Sequence, residues 1–111
     1  MPAEAPLLDT LAAMTVASVE LSDLEPRELM LARIAALAAS DAPPASYLAN
    51  AGTAMDVGVT LEDVQGVLVA VAPIIGSPRA VTAAGNVAEA LGFAILAIED
   101  EIAAAIESEL D

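Results

Sequence analysis

The sequence predicts an all-α protein, a bundle of about five helices that oligomerises through helix packing. No stretch alternates apolar and polar residues over a length that would favour a β-strand. Alanine, the residue with the highest helix propensity, dominates the periodic segments. Apolar residues make up 58% of the 111 residues but aromatic residues only 2%, so small side chains that each bury little area must build the core. A domain of this kind gains stability by burying a further face against copies of itself.

Two helices are predicted in the first 39 residues. The first covers about Ala5 to Val19, and its apolar residues form a helical stripe. Acidic residues and Pro26, which suits the first helical position, indicate the start of the second helix, which runs to about Ala39. Its predicted buried face recurs at positions i, i+4 and i+7 and consists of Met30, Ile34 and Leu37.

The third helix is predicted from the stretch SDAPPASYLANAGT, which covers residues 40–53. Ser40 or Asp41 can cap it, and Pro43 or Pro44 can occupy its first turn. Gly58 is placed to end this helix in the left-handed conformation.

The fourth and fifth helices each have a start signal. A capping-box pattern from Thr60 to Asp63 opens the fourth, and Pro73 is expected to end it. Ser77 and Pro78 open the fifth as cap and first residue. The fifth helix has an apolar seam that can pack on a neighbouring helix, in the same chain or another, formed by Leu91, Ile95, Ile98, Ile102 and Ile106.

The net charge of −14 comes from 17 acidic residues against three arginines, with no lysine. Such a surface repels phosphate backbones and anionic lipids, so neither nucleic acid nor membrane is expected as a partner. No uncharged apolar run is long enough to span a bilayer. The acidic N-terminal residues show no secretory signal, so we expect a cytoplasmic protein.

The missing residue types exclude several kinds of chemistry. There is no cysteine for a thiolate nucleophile, no histidine for a neutral-pH base or zinc ligand, and no lysine for a Schiff base. No cofactor and no metal are therefore predicted. The C-terminal acidic run could suggest a cation site, but consecutive helical residues point in different directions, so a solvated face is the better interpretation: Glu99, Asp100, Glu101, Glu107, Glu109 and Asp111.

Four other polar residues raise questions of function. Glu89 is an acid within an apolar stretch, three residues after Asn86, and could serve as a proton donor or lie in a polar patch. Arg33 lies among apolar neighbours, so its guanidinium either reaches solvent, pairs with an acid, or binds a carboxylate in a cavity. Arg79 stands in a first helical turn, where a cation is mildly unfavourable, which suggests a specific acidic partner.

Three segments in register resemble the carboxymuconolactone decarboxylase family, which shares its helical fold with AhpD-like alkylhydroperoxidases. The segment LEPRELMLARIAAL, residues 24–37, resembles the family's helix-opening pattern. The segment AMDVGVTLEDVQGVL, residues 54–68, is similar to its A-x-x-x-G-x-T motif and the helix after it. The segment APIIGSP, residues 72–78, resembles a family turn. The likeness is strongest over residues 24–92 and implies a single domain over residues 1–111.

The resemblance also implies trimers or hexamers with pockets at subunit contacts. Redox members carry Cys-x-x-Cys-x-x-x-His, which falls here on Pro43, Ser46 and Asn50, while their glutamate falls at or next to Met30. None of these groups is present, so thiol peroxidase chemistry is excluded. The resemblance also implies that lactone decarboxylation depends on a histidine at the position of Asn50. The asparagine amide cannot accept a proton near neutral pH, as a histidine can.

Three hypotheses follow. The first is a homo-oligomeric protein that binds a small carboxylated molecule or lactone through Arg33, Ser46, Tyr47 and Asn50. The second is a lyase or isomerase for a small lactone or related acid, with Arg33 as the anion site and Tyr47 or Glu89 as proton donor. The third is a structural or accessory assembly protein with no ligand.

Overall fold

The computed structural model describes the backbone of residues 5–110 and the side chains of residues 6–92 and 99–109. Within this part the chain forms five helices and no strand, as the sequence predicts. Their bounds are α1 Ala5–Leu21, α2 Pro26–Ala39, α3 Pro44–Asp56, α4 Leu61–Ile75 and α5 Ser77–Leu110. Two predicted members of the α5 seam, Ile95 and Ile98, and the terminal Asp111 lie outside the described side chains.

The connection between α2 and α3 corrects the predicted cap. Ser40 and Asp41 end α2 rather than begin α3: Ser40 is the C-cap of α2, and Asp41 takes a left-handed φ of 57°. The Ala42 N–H then donates to the Leu37 carbonyl at 3.0 Å, which closes the last turn of α2. Pro43 occupies the N-cap position of α3, and Pro44 is its first helical residue, where a missing N–H is no loss. The ring of Pro43 has no acceptor atom, so no side chain caps this helix.

The start of α4 is confirmed and its predicted end is wrong. The Thr60 hydroxyl accepts from the Asp63 N–H at 3.1 Å, and the Asp63 carboxylate accepts from the Thr60 N–H at 2.9 Å. At the other end, α4 continues through Pro73 to Ile75. A proline removes only its own N–H, and the Gly76 N–H still donates to the Ala72 carbonyl at 2.9 Å. Gly76, at a φ of 92°, ends the helix.

Two arginines link α2 to the rest of the bundle. Arg27 pairs with Asp63 at the start of α4, with 2.7 Å between Nη2 and Oδ1. The backbone N–H of Thr60, then the side chains of Arg27 and Thr60, hold the pKa of Asp63 below its usual value. Arg79 donates to the Ala39 carbonyl at 3.0 Å, at the end of α2. The acid expected beside Arg79 is therefore replaced by a helix C-terminus, which a cation also stabilises.

Helices α2 to α5 pack around a core of small and medium-sized side chains. Met30 is 1% exposed and packs in one cluster with Ile34, Ala54 and Val59. The α2 face predicted from the sequence is thus confirmed at Met30 and Ile34, while Leu37 is half-buried. Two further clusters continue the core towards α5, the first with Ala38, Leu68 and Ala83 and the second with Ala42, Tyr47 and Ala90.

Helix α1 lies outside this core. Every described side chain of the helix, residues 6–21, is exposed, including several leucines and valines and Met14. The radius of gyration is 16.3 Å, whereas a compact domain of this length has one of about 13 Å. No helix in the described residues combines the length and the apolar character that a membrane crossing requires.

Candidate functional site

A cavity of about 130 Å³ lies between α2, α3, α4 and α5, and no charged side chain of the described residues lines it. We call it the uncharged cavity. Its floor consists of buried side chains, and its rim includes the exposed Met55 and Leu61, which are 61% and 52% exposed. Asn50, Thr60 and Tyr47 are its polar lining residues. The floor is formed by Ile34, Tyr47, Ala54, Val59 and Ala90.

Tyr47, the one tyrosine of the sequence, is 7% exposed and lines this cavity. Its hydroxyl oxygen is shielded from solvent and makes no hydrogen bond to any described residue. Burial raises the pKa of Tyr47, and the negative charge of Asp41 raises it further. Tyr47 therefore holds its proton more tightly than an ordinary tyrosine does.

Asn50 lies at the junction of two hollows. Its Nδ2 donates to the Ser46 carbonyl one turn earlier in α3, at 2.9 Å, and the residue is half-buried. It lines the uncharged cavity, and it also lines a second, more open hollow of about 360 Å³. The Asn50 Oδ1 and the second Nδ2 proton remain available to a ligand.

The second hollow runs between α1 and the bundle, and we call it the arginine groove. Arg33 lines it together with residues of α1, α2 and α3: Leu11, Met14, Thr15, Ser18, Ala36, Leu37 and Asn50. The Arg33 Nη2 donates to the Thr15 carbonyl and to the Ser18 hydroxyl, both at 3.3 Å. Within the described part of the chain, no carboxylate pairs with Arg33.

The structure therefore separates residues that the sequence placed in one site. Arg33 lines the groove and Tyr47 the cavity, and Asn50 lines both. Ser46 lines neither and contributes only its backbone carbonyl to Asn50. Glu89 is exposed on α5 and lines neither hollow, and among the described side chains no carboxyl is buried. Asn86, its predicted partner, instead donates to the Ala42 carbonyl at 3.0 Å.

Several lining residues were not predicted. Met14 and Ser18 form the α1 wall of the groove, and Leu61 and Thr60 lie at the edge of the cavity. Thr60 was recognised only as a helix cap, and nothing in its local pattern indicates a second role. For α1, the available signal was the uncharged stretch between Asp9 and Glu20, since an apolar surface of this kind marks an interaction site.

The described residues hold no group of three or more acidic side chains arranged to bind a metal ion. The acidic residues 99–101, 107 and 109 are exposed, as expected of a solvated face.

Comparison with protein families shows that residues 5–90 match the model of the carboxymuconolactone decarboxylase family. The chain belongs to this family. The match extends further towards the N-terminus than the three resembling segments and takes in α1. No curated protein and no solved structure matches the chain.

This member of the carboxymuconolactone decarboxylase family contains no cysteine. The positions that the resemblance assigns to the redox cysteines and histidine are Pro43, Ser46 and Asn50, at the cap and in the first two turns of α3. Of the three, only Asn50 lines a hollow. The position that the resemblance assigns to the reactive groups of redox members is therefore part of a regular helix, but it carries no thiol and no imidazole.

Proposed function

We propose that this protein is a homo-oligomeric member of its family that binds a small carboxylated molecule in the arginine groove, without thiol peroxidase chemistry. The observation that carries the proposal is the Arg33 guanidinium, which faces a groove and has no carboxylate partner in the described chain. The other two arginines are engaged, Arg27 by a carboxylate and Arg79 by a helix C-terminus.

The hydrogen bonds of Arg33 support this role. Both bonds come from Nη2, and at 3.3 Å both are long. A guanidinium has five N–H donors in a fixed fork, and the Nη1 and Nε groups are left for a ligand. Each of these N–H groups can donate a charge-assisted hydrogen bond to a carboxylate oxygen, so a small carboxylate suits the donors that Arg33 leaves unused.

The walls of the groove suit the rest of such a ligand. Leu11, Met14 and Leu37 offer an apolar surface, and the Asn50 amide can hydrogen-bond a carbonyl or hydroxyl group. A volume of about 360 Å³ lies within the usual range for small-molecule sites. We therefore expect an anion with a compact apolar body, rather than a highly charged metabolite.

The geometry supports binding better than a lyase or isomerase reaction. A proton donor for such a reaction has to lie beside the bound anion. Tyr47 lines the other hollow, and its raised pKa disfavours loss of its proton near neutral pH. Glu89 is exposed and lines neither hollow.

The homo-oligomer is proposed on the exposed apolar surface of α1. Residues 10–19 form an uncharged stretch between Asp9 and Glu20, in a protein with a net charge of −14. Acidic faces of two copies repel one another, so a contact between copies is favoured where acidic residues are absent. Ile102 and Ile106 on α5 are also more than half exposed, and they add to the apolar surface that a neighbouring copy can cover.

A pair of arginine variants tests the carboxylate site. We expect wild-type protein to bind cyclohexanecarboxylate in a calorimetric titration, and Arg33→Gln to weaken this binding about tenfold or more, because a charged hydrogen-bond partner is lost. Arg27→Gln is the matched control, since it removes a guanidinium that already pairs with Asp63. It should leave the affinity for the carboxylate unchanged.

Two further outcomes decide between the hypotheses. The neutral analogue cyclohexanecarboxamide should bind the arginine groove more weakly than cyclohexanecarboxylate does. Added salt should lower the affinity for the carboxylate and leave the affinity for the amide unchanged. If no small carboxylate binds to folded protein, or if Arg33→Gln binds as wild type does, the assembly hypothesis without a ligand replaces this proposal.

A further inference from the structure

We infer that the uncharged cavity is a second, separate binding site, which takes a small neutral molecule of about the size of one six-membered ring. This site differs from the arginine groove in its ligand, although Leu37 and Asn50 line both hollows. The inference rests on the volume of the cavity, on its lining and on the arrangement of its floor and rim.

The volume sets the size of the ligand. An engineered apolar protein cavity of about 150 Å³ binds benzene, and the cavity here has a volume of about 130 Å³. A single ring with at most one small substituent therefore fits.

The lining sets the chemistry of the ligand. None of the lining side chains is charged, and most are aliphatic. A carboxylate placed here would lose its hydration without gaining a cation, which is strongly unfavourable. A neutral ring loses little hydration, and its apolar surface is removed from water on binding.

One polar contact is available to orient the ligand. The Asn50 amide has an unused N–H and a carbonyl oxygen at the edge of the cavity. A ring that carries one hydrogen-bond acceptor, such as a cyclic ketone, fits this arrangement. The Tyr47 hydroxyl is shielded from solvent and is not counted as a contact; Tyr47 contributes its ring to the floor.

The rim gives the ligand access. Met55 and Leu61 are largely exposed while they line the cavity, so its mouth lies where α3 ends and α4 begins. Methionine is unbranched and adapts to different shapes, so Met55 can close over a bound ring.

Nuclear magnetic resonance titration with cyclohexanone and with benzene tests this inference. In wild-type protein, both probes should shift amide signals of Ala51, Ala54 and Ala90, which line the cavity. Ala51→Leu fills the cavity and should abolish both sets of shifts. Ala49→Leu is the matched control, because Ala49 is exposed on the same helix and lines neither hollow. It should bind both probes as wild type does.

A second variant tests the polar contact. Asn50→Ala should lower the affinity for cyclohexanone about fivefold, the equivalent of one neutral hydrogen bond. The affinity for benzene should not change. Arg33→Gln should bind both neutral probes normally, so failure of the carboxylate proposal and failure of this one are distinguishable. The inference is overturned if folded wild-type protein shows no shifts at millimolar probe, or if Ala51→Leu binds as well as Ala49→Leu.

Discussion

Helices α1 and α2 are built from similar residues, but they have opposite surroundings. Each carries a methionine on an alanine-rich helix, and Met30 of α2 is 1% exposed while Met14 of α1 is 61% exposed. Local sequence decides that both segments are helical, whereas burial depends on what packs against them. In α2 the apolar face meets α3, α4 and α5. In α1 it forms one wall of the arginine groove and otherwise faces outwards, which leaves it available to another copy.

The methionine pair tests this difference and should give the largest effect. Met30→Ala should lower the free energy of unfolding by about 2–5 kcal/mol, because it leaves a cavity in the core. Met14→Ala should change it by no more than about 0.5 kcal/mol at low protein concentration, as expected of an exposed site. Urea denaturation measures both values. Equal costs for the two variants would show that α1 is packed as tightly as α2.

A pair of threonines sharpens the comparison at a smaller scale. Thr60→Ala removes the cap of α4 and should lower the stability by about 1 kcal/mol. Thr10→Ala on α1 should be close to neutral, because the Thr10 hydroxyl only donates to the Pro6 carbonyl of its own helix, at 2.8 Å. Thermal denaturation followed by circular dichroism compares them. A Thr10 variant as unstable as the Thr60 variant would contradict the view that α1 contributes little to the fold of one chain.

The pH dependence gives the smallest effect and also separates the two regions. The pKa of Asp63 is lowered in the folded state. Ionised Asp63 therefore contributes to the free energy of unfolding above its unfolded pKa of about 3.9, and this contribution is lost as the pH falls through the folded pKa. Asp63→Asn should therefore be less stable than wild type at neutral pH, and the gap should narrow below about pH 4. The α1 contacts of Arg33 involve a carbonyl and a hydroxyl, which do not titrate there.

Denaturation midpoints of wild type and Asp63→Asn at a series of pH values test this expectation. The effect is modest because solvent screens an exposed pair. A gap between the two proteins that is independent of pH down to acid conditions would show that the Asp63 carboxylate does not stabilise the bundle.

The helices were predictable because their signals are local. Pro26, Gly58 and the Thr60 capping box each act within one turn of a helix end, so the sequence alone locates them. Pro73 misled the prediction because its effect depends on whether the following N–H groups keep their acceptors. Asp41 misled it because a residue able to cap a helix can also adopt the left-handed conformation that ends one.

The candidate site was less predictable because it depends on distant contacts. Arg33 was recognised as unusual from its apolar neighbours, but the sequence does not say that α1 forms the opposite wall. Tyr47 lines the uncharged cavity and Arg33 lines the arginine groove. The spacing of these two residues in the sequence does not reveal that they lie in different hollows. Arg79 donates a hydrogen bond to the Ala39 carbonyl at the end of α2, 40 residues earlier in the sequence, and only the fold brings these two groups together.

The central claim is that α1 belongs to an interface between copies, and the mass of the protein in solution tests it most directly. Sedimentation equilibrium at micromolar concentration should give three or six times the 11.1 kDa of one chain. Val16→Glu, which places an acid in the uncharged stretch of α1 at an exposed residue that lines neither hollow, should shift the protein towards the monomer while leaving its helical circular dichroism spectrum unchanged. A wild-type mass of 11.1 kDa at every concentration measured would contradict the account.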